Sequence, residues 1–415
     1  MKTRWRIFAA LAAMFLLGFF YRVSMAVSAD AISRDLGLSA AELGVLSGIF
    51  FYAFAIMQIP LGPLLDRFGG RRIIVLLGVV TTCGSLTFAL AHNYHMALAG
   101  RMLLGMGTAC VLMGSFKIFT HWFTRTEFTT ISGYMVAAGN LGNLTATAPL
   151  AQAVENFGWR HTFLAVSLLQ FIITLIVFMV VRDSPDLATE PSESTDRCDA
   201  GILLPWRSII FTRQFWYISL LAFFWYANYM VLLALWGGPY LIDAADLTNT
   251  QSGTMLLFIS LGFITGSLCL GTVVARLFGS LQKTILTGQA ILLAGMLAML
   301  GPAESFSRPT LAVLFFMIGL VSSSGVLIYP LAREIVPHRY AATAMTSVNF
   351  FLLMGAAVTQ HIMGMYIGSF ARTAHGYPRE AYHGAFLLPI FGLATTLVLC
   401  GMSDNFRRQS TGGTQ

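Results

Sequence analysis

The chain is predicted to be an all-α membrane protein of twelve transmembrane helices arranged as two pseudo-symmetric six-helix bundles. Three observations lead there. Only 10% of its 415 residues are charged while 56% are hydrophobic, too few charges to cover a soluble domain of this size. Apolar runs near the length of about 20 residues that a bilayer requires recur throughout. A polar, acidic stretch divides the chain in the middle. Inside lipid the backbone must satisfy its own hydrogen bonds, so the runs are helices.

The runs fall near 6–33, 42–64, 73–92, 95–119, 128–152, 162–182, 214–240, 252–274, 284–303, 310–331, 342–368 and 384–403. The first begins after Lys2, Arg4 and Arg6 and imitates a secretory signal, with Val27-Ser28-Ala29 in the place of a cleavage site. We read it as a retained helix, because its removal would leave eleven. Ser39-x-x-Glu42 is a capping box that opens the second helix. The charged hairpin Gly62-Pro-Leu-Leu-Asp66-Arg67-Phe-Gly-Gly-Arg71-Arg72 then predicts a tight loop to the third. Residues 183–213, with Pro185, Asp186 and a Ser/Glu-containing run, read as a flexible tether. The expected divisions are therefore a first bundle over 1–182, the tether, a second bundle over 214–404 and a tail over 405–415. The halves carry a weak repeat at an offset of 209 residues: Glu42 maps to Gln251, Gly44 to Gly253, Gly62 to Gly271 and Arg67 to Arg276. Thr248-x-x-Gln251 repeats the capping box.

With both termini inside, seventeen of the 25 Lys and Arg residues lie on the cytoplasmic side and five on the outer side, a positive-inside bias. The remaining three, Arg22, Arg101 and Lys117, fall within helices. The net charge of +7 then reflects topology and contact with anionic lipid. No basic patch interleaved with stacking aromatics points to nucleic acid. The five cysteines have no C-x-x-C spacing, so neither a disulfide framework nor a metal cluster is expected. No H-E-x-x-H or phosphate-cradling glycine loop is present. We therefore expect no enzyme activity, no cofactor and no ATP bound by the chain.

Arg22 lies 16 residues after Arg6 and 13 before Asp35, near the bilayer centre at 1.5 Å per residue. Placing Arg there costs about 2.5–3.5 kcal/mol, so it should face a watery cavity. All 18 acidic residues fall in loops or at helix ends, so a midspan carboxylate partner is lacking. The reading is an anion-binding residue, with a structural ion pair or snorkelling as the alternative. Arg101 and Lys117 sit nearer the membrane faces, where they can snorkel. The polar and aromatic lining expected around Arg22 consists of Tyr21, Tyr52, Asn140, Asn143, Trp225, Asn228, Tyr229, Tyr329 and Asn349. Each asparagine alone is more often an interhelical partner than a ligand. Gly237-Gly238-Pro239 should bend the seventh helix near its outer end and act as a gate hinge.

The hairpin matches G-x-x-x-D-R-x-G-x-R-R, and through it the chain resembles the major facilitator superfamily of secondary transporters. Gly100-Arg101-Met-Leu-Leu-Gly105-Met-Gly107 and Gly158-Trp159-Arg160-His-Thr-Phe163 resemble two further motifs of that family, and the likeness covers essentially the whole chain. It implies alternating access between two bundles, a gating role for Asp66, Arg67, Arg71 and Arg72, and a coupling role for Arg101. Phe20-Tyr21-Arg22 resembles the helix-1 arginine of the organic-anion and sugar-phosphate branches. The second arginine of the phosphate exchangers is replaced by Val231, so a carboxylate or zwitterion fits better than a phosphate. The resemblance implies proton-coupled import of a small anionic or zwitterionic substrate across a bacterial inner membrane, with uniport or anion exchange left open by the missing midspan acid. A monomer is expected because one chain carries both bundles. Export of a drug or siderophore-like compound is the alternative within transport, and a non-transporting ligand sensor the alternative outside it.

Overall fold

A computed structural model describes residues 2–184, 212–334, 341–373 and 376–402. The tether falls almost wholly, and the tail entirely, outside the described residues. Nearly everything described is helical, and twelve helical passes follow one another. α1 has two segments, Lys2–Val23 and Met25–Leu36. α2 spans Ala40–Phe68 and α3 Gly70–Ala89. α4 joins Tyr94–Thr108 to Val111–Trp122. α5 begins with Arg125–Thr145 and continues over 148–157, where Gly158, at φ +77°, breaks the path and lets α6 run over 159–180.

In the second half, α7 passes through three stretches: Arg213–Met230, a π-helical Val231–Trp236, and Gly237–Asp243. α8 covers Asn249–Val273 with a π-helical end, Val274–Phe278. α9 is Leu281–Leu297, and α10 runs from Arg308–Ser322 through Ser323–Leu327 to Ile328–Glu334. α11 is Ala341–Gly368 and α12 Arg379–Met402. Among the described residues, eleven stretches are long and apolar enough to cross a bilayer. The first part of α5 falls short because Asn140, Asn143 and several Thr and Ser residues dilute it.

Local chemistry accounts for the helix starts. The Ser39–Glu42 box forms in both directions. Thr248 and Gln251 exchange the same two bonds, at 3.2 and 3.3 Å. A further box, Thr124 with Glu127, opens α5. There the backbone N–H of Thr124 holds the Glu127 carboxyl below its usual range, and Arg4 pairs with it at 3.1 Å. The charged hairpin is tighter than the loop predicted for it. Asp66 and Arg67 belong to the last turn of α2, and Gly69 at φ +81° is the single residue before α3. A carboxylate oxygen of Asp183 accepts the Arg71 N–H at 2.8 Å, so the end of α6 caps the start of α3.

Within the first half α1 packs on α5 and α6, α2 on α4, and α3 on α4 and α6. In the second half α7 packs on α11 and α12, and α8 on α10. Across the halves, α2 meets α11, the 148–157 part of α5 meets α8, and the second segment of α1 meets α7. Small residues let these backbones close up. A Cβ on Gly44 would sit 2.7 Å from the Gln360 carbonyl, and one on Gly253 would sit 2.7 Å from the Ala151 methyl. Polar contacts between the halves gather at the end remote from the termini, here called the far side. There Asp30 pairs with Arg372 at 3.6 Å, Arg372 donates to Ser33, the Ala40 N–H donates to the Tyr377 phenol at 3.1 Å, and Thr250 donates to Glu155.

Candidate substrate-binding site

Arg22 occupies the last turn of the first α1 segment, just before the interruption at Ser24. Its Nη1 donates to the Tyr226 hydroxyl of α7 at 3.0 Å, a midspan bond between the halves. The guanidinium lies over the rings of Phe19, 4.4 Å away, and Phe54, 5.1 Å away. Such contacts contribute about 0.5–2 kcal/mol each, depending on desolvation. Among the described residues no carboxylate pairs with Arg22, and its Nε is buried without a partner. The positive charge is thus held by rings and a phenol, and it keeps a free donor.

Three tyrosines lie within its electrostatic reach: Tyr226, Tyr229 and Tyr329. The Tyr229 ring stacks on Phe263 at 5.0 Å, and its buried hydroxyl has no partner. Tyr329 of α10 donates to Asn349 Oδ1 of α11 at 2.7 Å. Of the residues expected from sequence, Arg22, Tyr229, Tyr329 and Asn349 therefore come together around one charge. Tyr226 completes them and was absent from the expected lining. Its spacing was the available signal, since it stands three residues before Tyr229 and shares a helix face with it.

Other expected lining residues face elsewhere. The Tyr21 hydroxyl donates to Ser85 of α3 at 3.0 Å inside the first half. Trp225 donates its indole N–H to the Ser322 carbonyl of α10 at 3.0 Å. Asn228 bridges α7 to α12, donating to the Phe224 and Pro389 carbonyls at 2.7 and 2.8 Å. Asn140 donates to Val136 of its own helix at 3.0 Å, while Asn143 keeps a buried carbonyl oxygen unpartnered. Gly142, next to Asn143, abuts Leu16, which sets this part of α5 six residues below Arg22, about 9 Å at 1.5 Å per residue. Tyr52 is half-buried, two residues from Phe54 and so on another face of α2.

The expected gating and coupling residues are dispersed. The Asp66 side chain lies outside the described residues. Arg67 covers the Phe68 ring, and Arg71 donates to the Phe178 carbonyl at 2.8 Å within the first half. Arg72 is exposed. Arg101 is fully buried. It donates to the Tyr21 carbonyl at 2.7 Å and to the Leu46 carbonyl at 3.4 Å, with the Phe50 ring 4.8 Å away. Lys117 donates to the Leu65 carbonyl at 2.8 Å. α7 loosens before Gly237-Gly238-Pro239, over Val231–Trp236, and these three residues are themselves helical.

The sequence profile of the Major Facilitator Superfamily matches residues 9–360, and the chain belongs to that family of transporters. A probable sulfoacetate transporter from Cupriavidus necator is 24% identical over 384 residues, covering 88% of each chain. A probable L-galactonate transporter from Escherichia coli K12 is 26% identical over 360 residues, covering 83% of this chain and 79% of its own. Among solved structures, that of the D-xylose–proton symporter superposes with a TM-score of 0.77 at 15% identity over 100% of both chains; this likeness shows the fold. The protein is accordingly a multi-pass membrane protein of a transporter family, not an enzyme.

Proposed function

We propose that the chain is a secondary transporter for a small organic acid bearing one carboxylate. Arg22 takes that carboxylate, and Tyr226, Tyr229, Tyr329 and Asn349 orient the rest of the molecule. The observation that carries the reading is the uncompensated guanidinium of Arg22 between the halves, hydrogen-bonded to a phenol and holding a buried, unused Nε. A structural arginine at that depth would be expected to be held by an acid or by backbone carbonyls, as Arg101 is, whereas Arg22 has neither among the described residues. The bundles over 1–182 and 214–404 rock about this site, which opens alternately to either side. The positive-inside distribution supports cytoplasmic termini with the far side outside, and bacterial relatives support a bacterial cell. Import with a proton is the drive we favour. With no midspan acidic residue among the described residues, a group at a helix end or a histidine carries that proton, since the substrate's single carboxyl is ionised on Arg22. The chain works as a monomer, since both bundles are supplied in one polypeptide.

The relatives' substrates make a direct test. L-galactonate, sulfoacetate and a neutral sugar are each added to the purified protein and thermal stability is read, for the wild type and for Arg22→Ala. A ligand present at 100 times its dissociation constant stabilises the folded form by about 2.7 kcal/mol. Stabilisation by L-galactonate, absent from Arg22→Ala, is the expected result. Stabilisation by neutral compounds alone, unaffected by the substitution, would overturn the reading and favour export.

A further inference from the structure

The carbonyl oxygens of Tyr21 and Met230 stand at equivalent points of the two halves, 209 residues apart. Each comes just before a fault in its helix, the interruption of α1 at Ser24 and the π-helical Val231–Trp236 of α7. A buried side chain from another helix takes each one. Arg101 donates to Tyr21 at 2.7 Å, and Gln360 of α11 donates to Met230 at 3.4 Å.

The fault in α7 separates two functional contacts. Before it, Tyr226 holds Arg22. Beyond it, Gly238 is pressed so closely on the Ala26 carbonyl of α1 that a Cβ has no space. Within it, the Gly237 N–H reaches back five residues to the Leu232 carbonyl. The loosened turn accommodates one extra residue, about 100° of rotation at 3.6 residues per turn. Gln360 touches both ends of the loosened turn. Its amide meets Met230, while its backbone carbonyl accepts the Trp236 indole N–H at 3.2 Å. That carbonyl also faces Gly44 of α2, across the halves.

We infer that Gln360 is a positioning residue that sets the register of α7, and that the π-helical turn is the joint linking a ligand at Arg22 and Tyr226 to closure of the far side. The ligand half of this inference rests on the site proposed above. The other half, that Gln360 keeps the far side closed in the empty protein, does not. Should the turn revert to α-helix, Gly238 rotates away from Ala26 and the contact between α1 and α7 parts. Packed interfaces respond to such local changes by switching between arrangements.

Spin labels on His92→Cys and Ser305→Cys, exposed far-side positions of the two halves, report the opening in the reconstituted full chain with its native cysteines replaced by serine. Gln360→Met keeps the side-chain length and loses the donor. It should raise the long-distance population of the empty protein about fivefold, the low end of typical coupling between sites. Trp236→Phe should move it less, in the same direction. Deleting Leu233 removes the extra residue and should leave one distance that L-galactonate cannot change. Wild-type distances in Gln360→Met with unchanged thermal stability overturn the inference. If Gln360→Met does not fold, Trp236→Phe decides on the same criterion. A wild-type protein indifferent to L-galactonate counts against the proposed ligand site, and the empty-protein distances still judge Gln360.

Discussion

Gly44 and Gly253 are pseudo-symmetry mates, and each is the point where a helix of the opposite half presses on the backbone. Gly44 faces Gln360 and Gly364 of α11; Gly253 faces Ala148 and Ala151 of α5. Residues 151 and 360 are themselves 209 apart, so the two crossings are copies of one contact. Both lie toward the far side, among the contacts that join the halves there.

A side chain at either glycine should therefore act on conformation more than on folding. Gly44→Val and Gly253→Val introduce overpacking of about 1–3 kcal/mol into the closed far side alone. Energies of that size change a two-state ratio about 5–150-fold. The expected result is loss of turnover with the melting temperature largely kept, read by transport in vesicles alongside thermal unfolding. Equal loss of fold and transport would refute it.

Arg22→Lys should fail almost as fully as Arg22→Ala. Lysine supplies charge but not the planar guanidinium that holds Tyr226 through Nη1 while still offering Nε to a ligand. We expect ligand affinity to fall at least tenfold, about 1.4 kcal/mol, measured by titration calorimetry with L-galactonate. Wild-type affinity in the lysine variant would show that charge alone suffices.

Tyr226→Phe removes the acceptor that holds Arg22 in place. Hydrogen bonds to charged groups contribute about 1.5–3 kcal/mol, so kcat/KM should drop roughly tenfold or more. The ring is retained, and the far-side contacts are untouched. Uptake kinetics that match the wild type would remove Tyr226 from the site.

Asn228→Ala is the contrasting case. It deletes one bond within α7 and one buried bond between α7 and α12, and leaves the Pro389 carbonyl without this donor. A loss of about 1–3 kcal/mol of stability is expected, with KM unchanged. A raised KM at unchanged stability would move Asn228 into the binding site.

Much of this architecture was legible in the chain itself. The helices follow from apolar length, and the depth of Arg22 follows from its distance to Arg6 and Asp35. The repeat was visible at Gly44 and Gly253, although its physical content, two equivalent close approaches, required the packing. The partner of Arg22 was hidden because Tyr226 lies 204 residues away. In the run Trp225-Tyr226-Ala-Asn228-Tyr229, pattern alone does not say which face of α7 meets α1, α10 or α12. The π-helical turn escaped for a related reason. Glycine and proline draw attention to Gly237-Gly238-Pro239, whereas the fault lies in an apolar run, Val231–Trp236, with no breaker of its own. Gly237 follows from that fault, since the approach of Leu232 leaves no room for a side chain.

The unpaired charge of Arg22 also has an electrical side. An empty site carries a positive charge at midspan, and a bound monocarboxylate cancels it. Membrane voltage then acts on the empty carrier, and on the loaded one only through the proton that accompanies import. An elementary charge crossing the full field is worth about 2.3 kcal/mol per 100 mV, and a site that changes sides feels some fraction of this. With the cell interior negative, the voltage draws the vacant site toward the cytoplasm, so the far-side closure is the arrangement that an energised membrane favours at rest.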